Sequence, residues 1–182
     1  MAKSSRYDVT VTRTQEVTGY EIREALKRWK TQRLVADQQF NASLFAFKDE
    51  KKANPEEIVS NFRKADTAIA LLQELQQQYN SKVKVKVGKE DITLSLAVKL
   101  VGGAGRITNM WHKAATETGL DRYESRSMTR KTDEERAGRV VPQDKAIKLS
   151  DEAAKFAAAI RSAMAVGNSV KLDMEVPEGL LD

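Results

Sequence analysis

Apolar residues recur along this chain in two rhythms, every three or four positions over long stretches and every second position over short ones. The first long stretch follows Thr18-Gly19-Tyr20-Glu21, in which threonine and glutamate stand at the capping-box spacing that closes a helix start. Ile22, Leu26, Trp29, Ala36, Phe40, Leu44 and Phe47 continue at helical steps, interrupted at Arg33, so the pattern predicts one helix to about Glu50. Lys51-Lys52-Ala53-Asn54-Pro55-Glu56-Glu57 then reads as a turn and a fresh start. Asparagine caps, proline suits the first turn, and acids favour the positive end of the helix dipole. Ile58, Phe62, Ala65, Ile69, Leu72 and Tyr79 keep a seven-residue repeat, broken at Gln76, which predicts a second helix to about Asn80. A connection this short leaves the two helices antiparallel, as a long hairpin.

The two-residue rhythm appears three times. Tyr7, Val9 and Val11 alternate with Asp8, Thr10 and Thr12, predicting a strand over residues 7–13. The run SKVKVKV at residues 81–87, followed by Gly88-Lys89 as a turn, predicts a β insertion over residues 81–92. Val170, Leu172, Met174 and Val176 alternate with Lys171, Asp173 and Glu175, predicting a last strand free to pair with either of the others. Leu94, Ala97, Val101, Ala104, Ile107 and Trp111 return to helical spacing and predict a third long helix to about Thr118, stopped by Gly119. Residues 121–149 lose periodicity and read as a loop or arm, with a strand suggested at residues 146–149. Ser150-Asp151-Glu152 opens a short fourth helix through Phe156, Ala157, Ile160, Ala163 and Met164, closed by Gly167-Asn168. The expected fold is mainly α with a small antiparallel β-sheet, an α+β chain in one domain over residues 1–182.

Composition narrows the function more than it names it. Hydrophobic residues at 41% and charged residues at 31% suit a globular chain with a heavily charged surface. There is no cysteine, which removes disulfides, thiol catalysis, iron–sulfur ligation and cysteine-containing zinc sites, and His112 as the single histidine removes imidazole-rich metal sites. No cofactor is expected. No apolar run reaches membrane-spanning length, and MAKSSRYDVT lacks the apolar core of a secretory signal, so the expected location is the cytoplasm or an assembled phage particle, with no membrane partner. The net charge of +5 gives a weak general attraction to polyanions.

Two stretches carry candidate chemistry. Glycines in Val101-Gly102-Gly103-Ala104-Gly105-Arg106 would let backbone donors approach a phosphate, but the spacing matches no nucleotide fingerprint and no GK[ST] follows. The preferred reading is a helix face where another backbone packs closely, or a break in the helix. Residues 121–149 hold eight basic groups, Arg122, Arg126, Arg130, Lys131, Arg136, Arg139, Lys145 and Lys148, against six acidic ones. Tyr123 adds an aromatic ring able to stack on a base. Arg106, Trp111, Arg122, Tyr123, Arg126, Arg130 and Lys131 are therefore the candidate ligands for an anion, a nucleic acid or a nucleotide. No serine or carboxylate stands with His112 at triad spacing, and the acidic pairs lack a calcium-loop pattern.

The order of features resembles the septicolysin-like family of little-characterised bacterial and phage proteins with a long helical hairpin. The similar elements are the paired helices ending in Tyr79-Asn80, the Gly88 turn into Ile92-Thr93-Leu94, the stretch Arg122-Tyr123-Glu124-Ser125-Arg126-Ser127, and a last helix ending near Asn168. The chain departs from that pattern at Lys99-Leu100, where an arginine–aspartate pair would stand, and at Ser169, where a tryptophan would follow Asn168. The resemblance implies a helical, oligomeric protein without an assigned reaction. With three long apolar stripes and a fourth short one, the chain is expected to act as a noncatalytic homo-oligomer with a structural, assembly or interaction role. A binder of anionic ligands is the alternative.

Overall fold

The computed structural model describes residues 11–45, 53–117 and 139–182. Among these residues the order is β1 (Thr12–Val17), α1 (Gly19–Ser43), α2 (Pro55–Lys82), β2 (Lys84–Val87), β3 (Glu90–Thr93), α3 (Leu94–Thr116), α4 (Gln143–Ser169) and β4 (Leu172–Pro177). The chain is mainly helical with two small antiparallel sheets, β1 with β4 and β2 with β3. Its described residues fall into two compact units, one drawn from Met1–Val83 and Val166–Asp182, the other from Lys84–Ala165.

In the first unit, α1 starts at a complete capping box. The Thr18 N–H donates to Glu21 Oε2 at 2.7 Å, and the Glu21 N–H donates to Thr18 Oγ1 at 3.3 Å. Donation from the Thr18 N–H, and from its hydroxyl at 2.8 Å, holds the Glu21 carboxyl below its ordinary range. At α2 the Asn54 side chain accepts from the Glu56 N–H at 3.0 Å, with Pro55 in the first turn. The hairpin buries Ile22, Leu26 and Ala36 of α1 and Ile58, Ala65, Ile69, Leu72 and Tyr79 of α2. Arg33, the break in the α1 stripe, reaches across it, with Nη1 donating to Asp66 Oδ1 at 2.8 Å. A cation is tolerated in the seam because it stays half-buried and paired. Apolar spacing suggested that α1 persists to about Glu50, but it ends at Ser43.

Tyr79 joins distant parts of this unit. Its side chain is fully buried, and its hydroxyl lies 2.7 Å from the Gly167 carbonyl and 2.6 Å from that of Val170, groups at the end of α4. Burial raises its pKa above the ordinary value. Gly19 sits against this cluster so closely that a Cβ there would lie 2.4 Å from Asn168 Oδ1 and 2.9 Å from the Tyr79 ring. The chain end then returns to α1. Gly179 turns at φ 76°, Leu180 is buried, the Trp29 indole N–H donates to the Leu180 carbonyl at 3.0 Å, and the Arg28 guanidinium donates to that of Leu181.

The last strand pairs with the first, matching Gln15 with Met174 and Val17 with Leu172. The first strand continues past residue 13, where the alternation of residues 7–13 ends, to Val17, and residues 7–10 fall outside the described residues. β1 contributes one buried side chain, Val17, while Met174 and Val176 of β4 supply most of the apolar face. Its own alternation is therefore weak.

In the second unit, β2 and β3 form the expected hairpin around Gly88, whose φ of 64° requires glycine's freedom. Val85 and Val87 point inward and Lys84 and Lys86 outward. Thr93 caps α3, its Oγ1 accepting from the Leu96 N–H at 3.2 Å. At the other end of α3, Arg139 donates to the Ala114 and Glu117 carbonyls, and the Gln143 amide donates to that of Ala115 at 3.3 Å. These bonds fill acceptors that a helix end leaves open. α4 starts at Gln143, so residues 143–149 are helical, neither arm nor strand, and the C-terminal helix is long, with 27 residues. Pro142 opens it, its carbonyl accepting from the Ala146 N–H at 3.0 Å, and Asp144 favours the first turn.

Candidate functional site

α3 carries two apolar lines on adjacent faces. The first is buried: Leu94, Ala97, Ala104 and Ala115, with Val101, Thr108 and Trp111 half-buried beside them. The second is Leu96, Leu100, Gly103, Ile107, Met110 and Ala114, spaced by alternating steps of four and three, the coiled-coil rhythm. Its large members remain open, with Leu96 at 44%, Leu100 at 39%, Ile107 at 49% and Met110 at 69% exposure. Sequence periodicity assigned Ile107 to the buried stripe. The neighbouring line was missed because apolar residues cover more than one face of this helix, and one stripe already accounted for burial.

The glycine run lies inside unbroken helix. Its N–H groups belong to the helical hydrogen-bond ladder, so it does not form a phosphate cradle at a helix start. Nor, among the described residues, does another part of the chain approach it closely, since a Cβ added at Gly102, Gly103 or Gly105 would meet none of their atoms within 4 Å. Both the close-packing and the helix-break readings of these glycines are thereby corrected for the single chain.

The residues Leu94–Thr116 contain no aspartate or glutamate. Lys99, Arg106 and Lys113 stand seven positions apart, so they form one cationic line along the flank of the exposed apolar one. Arg106 is exposed. Lys113 pairs through Nζ with Glu117 Oε1 at 3.0 Å, both side chains remaining largely solvated. Arg106 and the half-buried Trp111 are five residues apart, which at 3.6 residues per turn places them about 140° apart around the helix. One chain therefore does not bring these two candidate ligands together. His112 is exposed. The other candidates, Arg122, Tyr123, Arg126, Arg130 and Lys131, lie outside the described residues.

A second exposed apolar region lies toward the hairpin tip, where Leu34, Val35, Leu44 and Phe45 are open. Nearby, Phe40, Pro55, Glu56, Val59, Ser60 and Arg63 line an open groove. Among the described residues no group of three or more histidine, aspartate or glutamate side chains is placed to hold a metal ion, and no helix is long and apolar enough to cross a membrane.

No family model matches the chain, and no curated protein matches it. A similar fold is found in the crystal structure of a functionally unknown conserved protein from Corynebacterium diphtheriae. It is 16% identical, with a TM-score of 0.65 over 87% of this chain and 99% of that one. At that identity the likeness concerns the fold alone.

Proposed function

We propose that this chain is a noncatalytic interaction or assembly protein that works as a homo-oligomer. The observation that carries the reading is the open line of Leu96, Leu100, Ile107 and Met110 on α3. A run of large apolar side chains at coiled-coil spacing on one exposed helix face is the kind of surface that protein contacts cover. Scattered exposed apolar residues would carry no such weight. Sedimentation over a range of protein concentrations tests the proposal. Mass should rise above that of the monomer with concentration, and a stable monomer at tens of micromolar would refute it.

A second reading, binding of an anionic ligand, draws support from the cationic line of Lys99, Arg106 and Lys113, of which Lys113 alone is paired with a nearby acid, Glu117. It expects binding of DNA, RNA or nucleotides that weakens steeply with added salt. No response at low salt would remove it.

A further inference from the structure

We propose that α3 pairs with α3 of a second copy in parallel, as a short coiled coil in which Arg106 of each copy packs on the partner's Trp111. This rests on the self-association proposed above and names its surface, its partner and its direction.

The spacing assigns every position. Leu100, Ile107 and Ala114 take the first core position of the heptad, and Leu96, Gly103 and Met110 take the second. The residues just before the first core positions are Lys99, Arg106 and Lys113, all cationic. Those just after the second core positions are Ala97 and Ala104, both buried in their own chain, and Trp111, half-buried; all three are uncharged. Two such helices can meet in only two directions, and charge separates them. Antiparallel pairing sets like flanks against each other, bringing Lys99 near the partner's Lys113 and Arg106 near the partner's Arg106. Lys113 has Glu117 beside it at 3.0 Å, but residues 94–116 hold no acid, so the two Arg106 side chains would face each other without relief. Parallel pairing turns each cationic flank toward the uncharged side of the other copy, five residues further along, where Trp111 is the member left open to a partner. Arg106 then meets the partner's Trp111, which is only half-buried in its own chain. A guanidinium over an indole face is a favourable contact that improves as water is excluded. The two residues that one chain holds about 140° apart come together between two chains.

Gly103 fits the same arrangement. It occupies a core position, and among the described residues no other atom lies within 4 Å of where its Cβ would stand. A glycine there leaves a hole into which the second helix can settle closely. The exposed parts of Leu96, Leu100, Ile107 and Met110 leave about 400 Å² open per copy, the size of the largest apolar patch on an ordinary monomer, a patch that is often functional. This is about half of what each partner covers in a standard stable complex, so the pairing is expected to be weak and concentration-dependent.

Because the chain has no cysteine, a single introduced thiol reports its own neighbour without interference. Leu96→Cys and Ala114→Cys are made separately, mixed, and oxidised at a concentration where the wild-type chain associates. Parallel pairing predicts disulfide-linked L96C–L96C and A114C–A114C dimers. A dominant mixed L96C–A114C product would overturn the parallel direction. Arg106→Ala should weaken dimerisation several-fold, whereas tighter association would show that like charges had been facing each other and would likewise overturn it. Leu100→Glu and Met110→Lys, both at exposed positions, should shift sedimentation to monomer while far-UV circular dichroism stays unchanged. If both variants remain as oligomeric as the wild type, the α3 surface is refuted while self-association stands. If the wild type is itself monomeric, both proposals fall together.

Discussion

Replacing Tyr79 with phenylalanine isolates one hydroxyl in the buried junction of the first unit. The ring is retained, so no cavity opens and the change is confined to the polar contact. The hydroxyl has a single proton to share between the Gly167 and Val170 carbonyls, at 2.7 and 2.6 Å. The Gly167 carbonyl keeps the Val170 N–H at 3.3 Å after the substitution. The loss is therefore one hydrogen bond together with a poorly satisfied acceptor, about 1–3 kcal/mol. Urea unfolding near neutral pH should show a lower midpoint for Tyr79→Phe with an unchanged slope. The difference should also depend on pH. Burial raises the Tyr79 pKa above its unfolded value, so its stabilising contribution is fully present below pH about 10 and is lost as pH rises through the folded value. The gap between wild type and Tyr79→Phe should accordingly narrow as pH is raised past about 10. Equal stability of the two proteins at neutral pH, or a gap that does not change in alkali, would refute the reasoning.

Other substitutions examine other contacts. Gly19→Ala places a Cβ within 2.4 Å of Asn168 Oδ1 and 3.1 Å of the Asn168 backbone, and should destabilise by about 1–3 kcal/mol in the same urea assay. Glu21→Gln retains the shape of the capping box but removes its charge. The Glu21 pKa is lowered by bonds from Thr18, so the wild type has a contribution present above the unfolded value of 4.5 that is lost as pH falls through the folded one. Thermal melts should show the wild type losing more stability on acidification than the variant, with a neutral-pH difference of about 1 kcal/mol or less. Gly102→Ala has the opposite sign. Its position is helical and open, so it should stabilise by about 0.5–1 kcal/mol, read as a rise in melting temperature.

The sequence by itself determined the helical class, the two hairpin helices, the Gly88 turn and the start of α3. Each of these depends on interactions between residues a few positions apart. Thr18 with Glu21, Asn54 with Glu56 and Thr93 with Leu96 are local caps, and helical spacing marks most of the face α1 and α2 bury, although Phe40 and Leu44 at its far end are exposed. Local pattern was a poorer guide at β1, which buries only Val17 while Met174 and Val176 of the paired strand supply the sheet's apolar face, and at residues 143–149, where a helix begins earlier than the strongest apolar rhythm. Only the tertiary structure decided which strand β4 joins, that Tyr79 binds carbonyls 88 and 91 residues away, and that Arg33 is paired rather than merely out of place. On α3 the sequence marks two apolar lines, but an apolar side chain is written the same way whether or not anything covers it. The fold buries Ala97 and Ala104 and leaves Leu100 and Ile107 in water, because burial depends on what the rest of the chain brings to each face.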